Sequence, residues 1–409
     1  MAETIEINRD RLISRLNELA KIGATPAGGV HRLAYTDEDK AGRDLFVRWC
    51  EDAGLAVRVD EMGNIFARHG DADGAPVFAG SHLDSQPKGG RYDGAYGVLG
   101  ALEAVQSIKE AGHALAHPVE AVAWSNEEGS RFPPSMIGSG VFAGHFTLDY
   151  AYGCTSRDGK TQGGELERIG YKGDVPCKAG ALHRYFELHI EQGPILDAEE
   201  IRLGVVEGVY GLYWLELRLK GQANHAGSTP MELRRDTLMA AAEIFLAAEK
   251  LPTEMGDGNR LTVGYIEVVP NSVNVIPGDL TCTFDLRSQD PATLDGMRER
   301  LAAIIEEIAA RRSLEHEIVE LSANPMVTFA PSCQDVVEQA AQALGLSNQR
   351  MYSGPGHDAV WVSTVCDTGM IFVPSIGGIS HAEIEDTLDD DLAAGARVLA
   401  TAMWKSAAG

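Results

Sequence analysis

No apolar run in the 409 residues is long enough to cross a bilayer, and residues 1–10 lack the basic and apolar segments that open a secretory leader. Positive charge is scarce: 35 Lys and Arg face 60 Asp and Glu, a formal net charge of −25. Such a surface repels phosphate backbones and anionic lipid, so neither nucleic acid nor membrane is an expected partner. An anionic small molecule stays admissible, because a few local Arg or His residues reverse the field inside a cleft. The six cysteines (Cys50, Cys154, Cys177, Cys282, Cys333 and Cys366) are scattered, and no two form a C-x-x-C pair. That speaks against a zinc ribbon or a disulfide framework and fits reduced thiols in the cytoplasm. No G-x-S-x-G elbow is present, which argues against a serine hydrolase. No H-E-x-x-H helix is present either, since His316-Glu317 runs on into Ile318, Val319 and Glu320.

What is present reads as an α/β enzyme. The length exceeds what one compact core usually holds, so two domains are expected. Apolar periodicity predicts a helix over residues 5–20. A second helix follows N-cap Thr36 and stops before Gly54. Short β-rich runs at 56–59 and 65–68 flank the turn Met62-Gly63-Asn64. A buried strand at 76–80, a helix at 94–112 and another buried strand at 119–124 then alternate, as in a mainly parallel sheet covered by helices. Near residue 212 the pattern changes to strand 212–219, helix 231–251, strands 261–269 and 279–287, helix 291–312 and strand 315–321. This β-α-β-β-α-β order is the split βαβ signature of a ferredoxin-like α+β sandwich. The expected fold is therefore α/β: a mixed, mainly parallel sheet flanked by helices, with that sandwich inserted. The expected boundaries are 1–211 and 327–409 for the discontinuous catalytic domain and 212–326 for the insert.

Five short motifs carry candidate chemistry. Gly80-Ser81-His82-Leu83-Asp84 ends the strand at 76–80. Residues two apart on a strand point the same way, so Asp84 is placed to fix the tautomer of a metal-bound His82. Gly89-Gly90-Arg91-Tyr92-Asp93-Gly94 is a Gly-rich turn opening a helix. Its spacing is not that of a phosphate loop, and Asp93 would repel phosphate. Gly97 and Gly100 then allow close helix packing. Trp124-Ser125-Asn126-Glu127-Glu128-Gly129 sets two carboxylates just after a buried strand, where open α/β sheets bind ligands. Adjacent side chains diverge, so one carboxylate can hold metal while the other faces substrate. Glu187-Leu188-His189-Ile190-Glu191-Gln192-Gly193-Pro194 is a period-two run that ends on a breaker, and Gly377-Gly378-Ile379-Ser380-His381 is a Gly-rich loop with one His. Imidazoles and carboxylates without thiolates suit Zn, Mn, Co or Ni. His357 and Asp358 are also possible ligands.

In their order and spacing these motifs resemble the M20-type metallohydrolases over essentially the whole chain. Within that group they resemble the branch holding N-carbamoyl-L-amino acid amidohydrolases, β-ureidopropionases and allantoate amidohydrolases. Trp124-x-Asn126-Glu127-Glu128-Gly129-Ser130-Arg131-Phe132 and His189-Ile190-Glu191-Gln192-Gly193-Pro194 carry most of the likeness. The resemblance implies two divalent ions per subunit. His82, Asp93 and His189 hold one, Asp93, Glu128 and His381 hold the other, and Asp93 is shared. It implies Glu127 as general base and His225 as a proton-sharing or oxyanion-binding group. It implies Gln192, His225, Asn274, Arg287 and Gly356 as substrate contacts, and it leaves His357 and Asp358 in support. It also implies that the inserted domain is a lid that pairs with a second copy in a homodimer. The expected reaction is hydrolysis of the ureido C–N bond of an N-carbamoyl-L-amino acid to the amino acid, ammonia and carbon dioxide. A ureido-carboxylate such as 3-ureidopropionate or allantoate is the alternative substrate. A dipeptidase or aminoacylase of the same family, or a non-catalytic binding protein on this fold, is the rival reading.

Overall fold

The computed structural model describes residues 4–70 and 74–409; the first three residues of the polar N-terminal stretch lie outside it. The chain divides into two compact units, residues 1–207 with 329–409, and residues 208–328. Among the described residues no helix is long and apolar enough to cross a membrane, and all six cysteines are free.

The first unit is built on a mixed sheet. Its centre runs Val119–Trp124, Val77–His82, Arg184–Ile190, Asp367–Val373, and each neighbouring pair is parallel. Antiparallel strands extend it on both sides: Ile65–His69 and then Ala56–Val59 beyond one end, Leu203–Val209 beyond the other. The central strands are buried along their length, as expected where helices cover both faces. Helices Ala95–Ala111 and Asp389–Ala407 pack on the sheet and on each other. Gly97 makes that approach possible, because a Cβ there would lie 2.3 Å from the Leu188 carbonyl oxygen. The early helices follow their caps. Asn8 accepts from Arg11 N at the start of Arg9–Leu19, and Thr36 accepts from Asp39 N at the start of Asp37–Asp52.

The second unit is an antiparallel four-stranded sheet with its own core. The strands lie in the order Glu315–Asn324, Gly211–Lys220, Asp279–Ser288, Arg260–Val269, and helices Thr237–Ala248 and Pro291–Arg311 pack against them. This is the ferredoxin-like arrangement. The helix expected over 231–251 is shorter than its apolar pattern. It begins only at Thr237, where the Asp236 carboxylate accepts from Leu238 N and Met239 N. Residues 231–233 form a separate short turn.

Candidate metal centre

Because the four central strands are parallel, their carboxyl ends share one edge of the sheet, and every candidate metal ligand in the first unit sits there. His82 closes its strand, opposite Trp124 in register. His189 lies one residue before the end of its strand, opposite Phe372. Asp93, Glu128 and His381 come from the loops that leave these ends.

The two buried imidazoles are oriented from behind. His82 Nδ1 lies 2.9 Å from the Asp84 carbonyl oxygen and His189 Nδ1 lies 2.9 Å from the Ile190 carbonyl oxygen. A carbonyl only accepts, so each Nδ1 carries a proton, and Nε2 is the nitrogen left to face Asp93 and to bind a metal ion once it is free of its own proton. The expected partner of His82 was the Asp84 carboxylate; it is 3.8 Å from Nδ1 instead. Its two oxygens accept, each at 3.2 Å, from the backbone N–H groups of Glu127 and Glu128. Asp84 thus ties the His82 strand to the Glu127-Glu128 turn, with its main chain serving the imidazole.

Asp93 stands between two groups of donors. Its Oδ1 is 3.7 Å from His82 Nε2 and 3.3 Å from His189 Nε2, and its Oδ2 is 3.2 Å from His381 Nε2. Glu128 Oε2 lies 3.8 Å from the same His381 nitrogen. In each triad, His82/Asp93/His189 and Asp93/Glu128/His381, the ligand atoms lie within 4.8 Å of one another. Gly94 lets the first triad close. It has φ 63°, and a Cβ there would lie 2.3 Å from His82 Cε1. The first triad is buried throughout, whereas the His381 side chain is 51 % exposed.

The donor set fits divalent ions of borderline softness: three imidazoles, two carboxylates and no thiolate. Glu128 Oε1 is buried without a hydrogen-bond partner, a costly state for a carboxylate oxygen unless a ligand takes it. Electrostatics agree. Burial resists ionisation of Asp93, yet His189, His381 and His82 hold it well below the usual carboxylate range. Burial, then the charge of Asp93, pushes Glu128 up to about 7. The hydrogen bond to Asp93 raises His381 to about 9.

Glu127 Oε2 lies 3.5 Å from His82 Nε2. Asn126, with φ 54°, makes the bend, and its amide donates to the Phe132 carbonyl and to Gln162. Burial, with Asp358, Glu128 and Asp84 nearby, pushes the Glu127 carboxyl well above the ordinary glutamate value, against the opposing pull of His82.

The other expected site residues divide. Gln192 is at the centre, where its amide donates to Asp93 Oδ2 at 3.1 Å and to Ser380 Oγ at 3.0 Å. Gly356 is exposed in the turn before His357. His357 packs against the His189 ring at 4.6 Å, and its Nε2 meets Ser353 Oγ. That hydroxyl gives its proton to the Pro355 carbonyl, so His357 Nε2 donates and is no ligand. Asp358 accepts from Ser139 Oγ at 2.5 Å.

His225, Asn274 and Arg287 belong to the second unit. There a two-residue ladder, His225 with Val275 and Asn224 with Ile276, sets His225 beside the Asn274 turn, and both side chains are exposed. Arg287 is paired with Asp285 at 2.8 Å. Two further residues change in meaning. Arg131, part of the motif that carried the resemblance, donates to the Ala34 carbonyl and to Glu165, so it braces the loop. Glu385 lies outside the five sequence motifs, yet its buried carboxylate accepts from Tyr92 N, Asp93 N and Ser380 Oγ. Its only sequence signal is an acidic residue four positions after His381.

The sequence matches the family described as peptidase family M20/M25/M40 over residues 78–405. It is 46 % identical over 407 residues to an N-carbamoyl-L-amino-acid amidohydrolase of Rhizobium meliloti, covering 99 % of this chain and 98 % of that one. It is 38 % identical over 414 residues to an N-carbamoyl-L-amino acid amidohydrolase of Geobacillus stearothermophilus, covering 98 % of this chain and all of that one. Among solved structures, a hydantoinase/carbamoylase family amidase from Burkholderia multivorans superposes with a TM-score of 0.96 at 49 % identity, covering 99 % of each chain.

Proposed function

This chain belongs to the peptidase family M20/M25/M40, and from that premise we propose that it hydrolyses the carbamoyl C–N bond of an N-carbamoyl-L-amino acid. The observation that carries the chemistry is one buried carboxylate, Asp93, facing imidazole nitrogens on both of its oxygens, with Glu127 beside them. The observation that carries the substrate is the similarity, over almost the full length of both chains, to relatives named for that reaction.

Two divalent ions (Zn, Mn, Co or Ni), when bound by His82/Asp93/His189 and Asp93/Glu128/His381, supply the Lewis-acid charge of the site. Glu127 takes a proton from the attacking water and returns it to the departing amino-acid nitrogen. Its buried, carboxylate-rich setting raises its proton affinity toward that task. Cleavage releases the amino acid and carbamic acid, which breaks down to ammonia and carbon dioxide. His225 stabilises the developing oxyanion by hydrogen bonding. Gln192 and the Gly356 backbone orient the ureido group. Asn274 and Arg287 take the substrate carboxylate, and that carboxylate must share or displace the Asp285 pairing of Arg287. The unit of residues 208–328 acts as a lid and as the contact for a second copy. Its strand Arg260–Val269 pairs on one side only among the described residues and exposes Tyr265, Ile266 and Val269.

The test is a substrate panel on metal-free protein reloaded with Zn, Mn, Co or Ni. Ammonia release from N-carbamoyl-L-amino acids, exceeding that from 3-ureidopropionate and allantoate, is expected, with no cleavage of dipeptides. Dipeptide cleavage without ammonia release would turn the assignment to a peptidase of the same family.

A further inference from the structure

Three loops meet around the half-exposed triad, and one side chain joins two of them. Glu385 is buried to 3 % exposure in the loop that follows His381. Its Oε1 accepts from the backbone of Tyr92 at 3.2 Å and of Asp93 at 3.1 Å, and its Oε2 accepts from Ser380 Oγ at 2.8 Å. Ser380 precedes His381, and its Oγ accepts from the Gln192 amide, which also donates to Asp93 Oδ2. The bonds form a closed ring: Asp93 Oδ2, Gln192 Nε2, Ser380 Oγ, Glu385, Asp93 N. Space for the carboxylate comes from Gly90, where a Cβ would lie 1.9 Å from Glu385 Oε1.

The two ligands this ring joins, Asp93 and His381, are nearly three hundred residues apart in the chain. His381 is held by its loop alone; it has φ 53°, and no strand fixes it. The first triad has no such need, since His82 and His189 stand on buried strands with carbonyl-anchored rings.

We propose that Glu385 is a positioning residue that sets the separation of Asp93 and His381, and so controls the affinity of the Asp93/Glu128/His381 site far more than that of the strand-held His82/Asp93/His189 site. This rests on the two-ion reading above. The hydrogen bonds of Glu385 go to Tyr92 N, Asp93 N and Ser380 Oγ, none of them a candidate metal-ligand atom. Glu385 acts through the Asp93 backbone and the Ser380 hydroxyl. A carboxylate suits the task because three donors converge on it, and an amide in its place still offers one oxygen to the two backbone N–H groups.

The test is titration of metal-free protein with Co²⁺, followed by visible absorption, with metal content measured after desalting. Wild-type protein should take up two ions per chain. E385A should keep one ion with little change in affinity and bind the second at least about tenfold more weakly, as lost outer partners of metal ligands generally do. E385Q should recover most of that loss, and S380A should show a smaller shift in the same direction. Two tight ions in E385A, or parallel weakening of both, would overturn the assignment, since a merely structural role lowers the melting temperature and releases both ions together. If E385A does not fold, S380A decides by the same criterion. Wild-type uptake below two ions would overturn the two-ion reading and the Glu385 role with it; normal wild-type uptake with unchanged variants overturns the Glu385 role alone.

Discussion

Glu127 and Glu128 are chemically identical neighbours in different surroundings, and the proposed reaction gives them different tasks. Glu128 leans toward His381 and accepts from the Gln86 amide at 2.5 Å, while Glu127 leans toward His82. An E127Q variant should therefore bind metal as the wild type does and lose about 10²–10⁴-fold in kcat, the usual contribution of a positioned acid–base group. Metal analysis beside steady-state kinetics checks this; turnover within a few-fold of wild type would remove Glu127 from the mechanism. A pH effect also belongs to single residues. Without metal, Glu128 is pushed up to about 7 and His381 to about 9, so at neutral pH His381 holds a proton and Glu128 holds one about half the time, and a metal ion must displace both. Both shifts are upward, so the competing protons leave only as pH rises. Metal affinity should therefore increase from pH 6 to pH 9, with net proton release on binding. Calorimetry in buffers of different ionisation enthalpy measures that release; an affinity flat across this range contradicts it.

At the scale of elements, the site depends on how strands end and helices begin. Parallel strands bring His82, the Glu127-Glu128 turn and His189 to one edge, and helix Ala95–Ala111 starts directly against them. Gly94 is the joint, with a left-handed φ and the His82 ring where a side chain would go. Gly94→Ala should destabilise the protein by more than about 1 kcal/mol, since the backbone strain is joined by a clash. It should also weaken metal binding by displacing either His82 or Asp93. Thermal unfolding with and without metal tests both effects: a variant with unchanged melting temperature and metal content would show that the loop relaxes freely.

At the scale of the whole molecule, the second unit carries exposed apolar residues on its edge strand and on helix Thr237–Ala248, where Leu238, Met239 and Leu246 face solvent. A lone chain gains nothing from such a surface, and a symmetric pair would cover it. Light scattering should give twice the chain mass. If His225 serves the partner's site, mixing two inactive variants, E127Q and H225A, should restore about a quarter of wild-type activity, because half of the dimers are mixed and each has one complete site. An active monomer, or no recovery on mixing, would place His225 in its own subunit's site.

Much of this was legible in the sequence because it is local. Strand ends, caps and the β-α-β-β-α-β order depend on neighbours within a few residues, so His82, Asp93, Glu127, Glu128, His189 and His381 all stood out in their own motifs. The sequence by itself determined the elements, the ferredoxin-like order of the second unit and the residue types of the candidate ligand set. Tertiary structure alone decided which partner each of these residues meets. The Asp84 carboxylate serves two backbone N–H groups because the strand places its carbonyl, rather than its side chain, behind His82. Arg131 became a brace once Glu165 lay beside it. Glu385 had no role until folding brought its loop to Asp93, nearly three hundred residues away. Hydrogen bonds and ligand geometry act over about 3 Å, and only the packed sheet edge brings such distant residues within that reach.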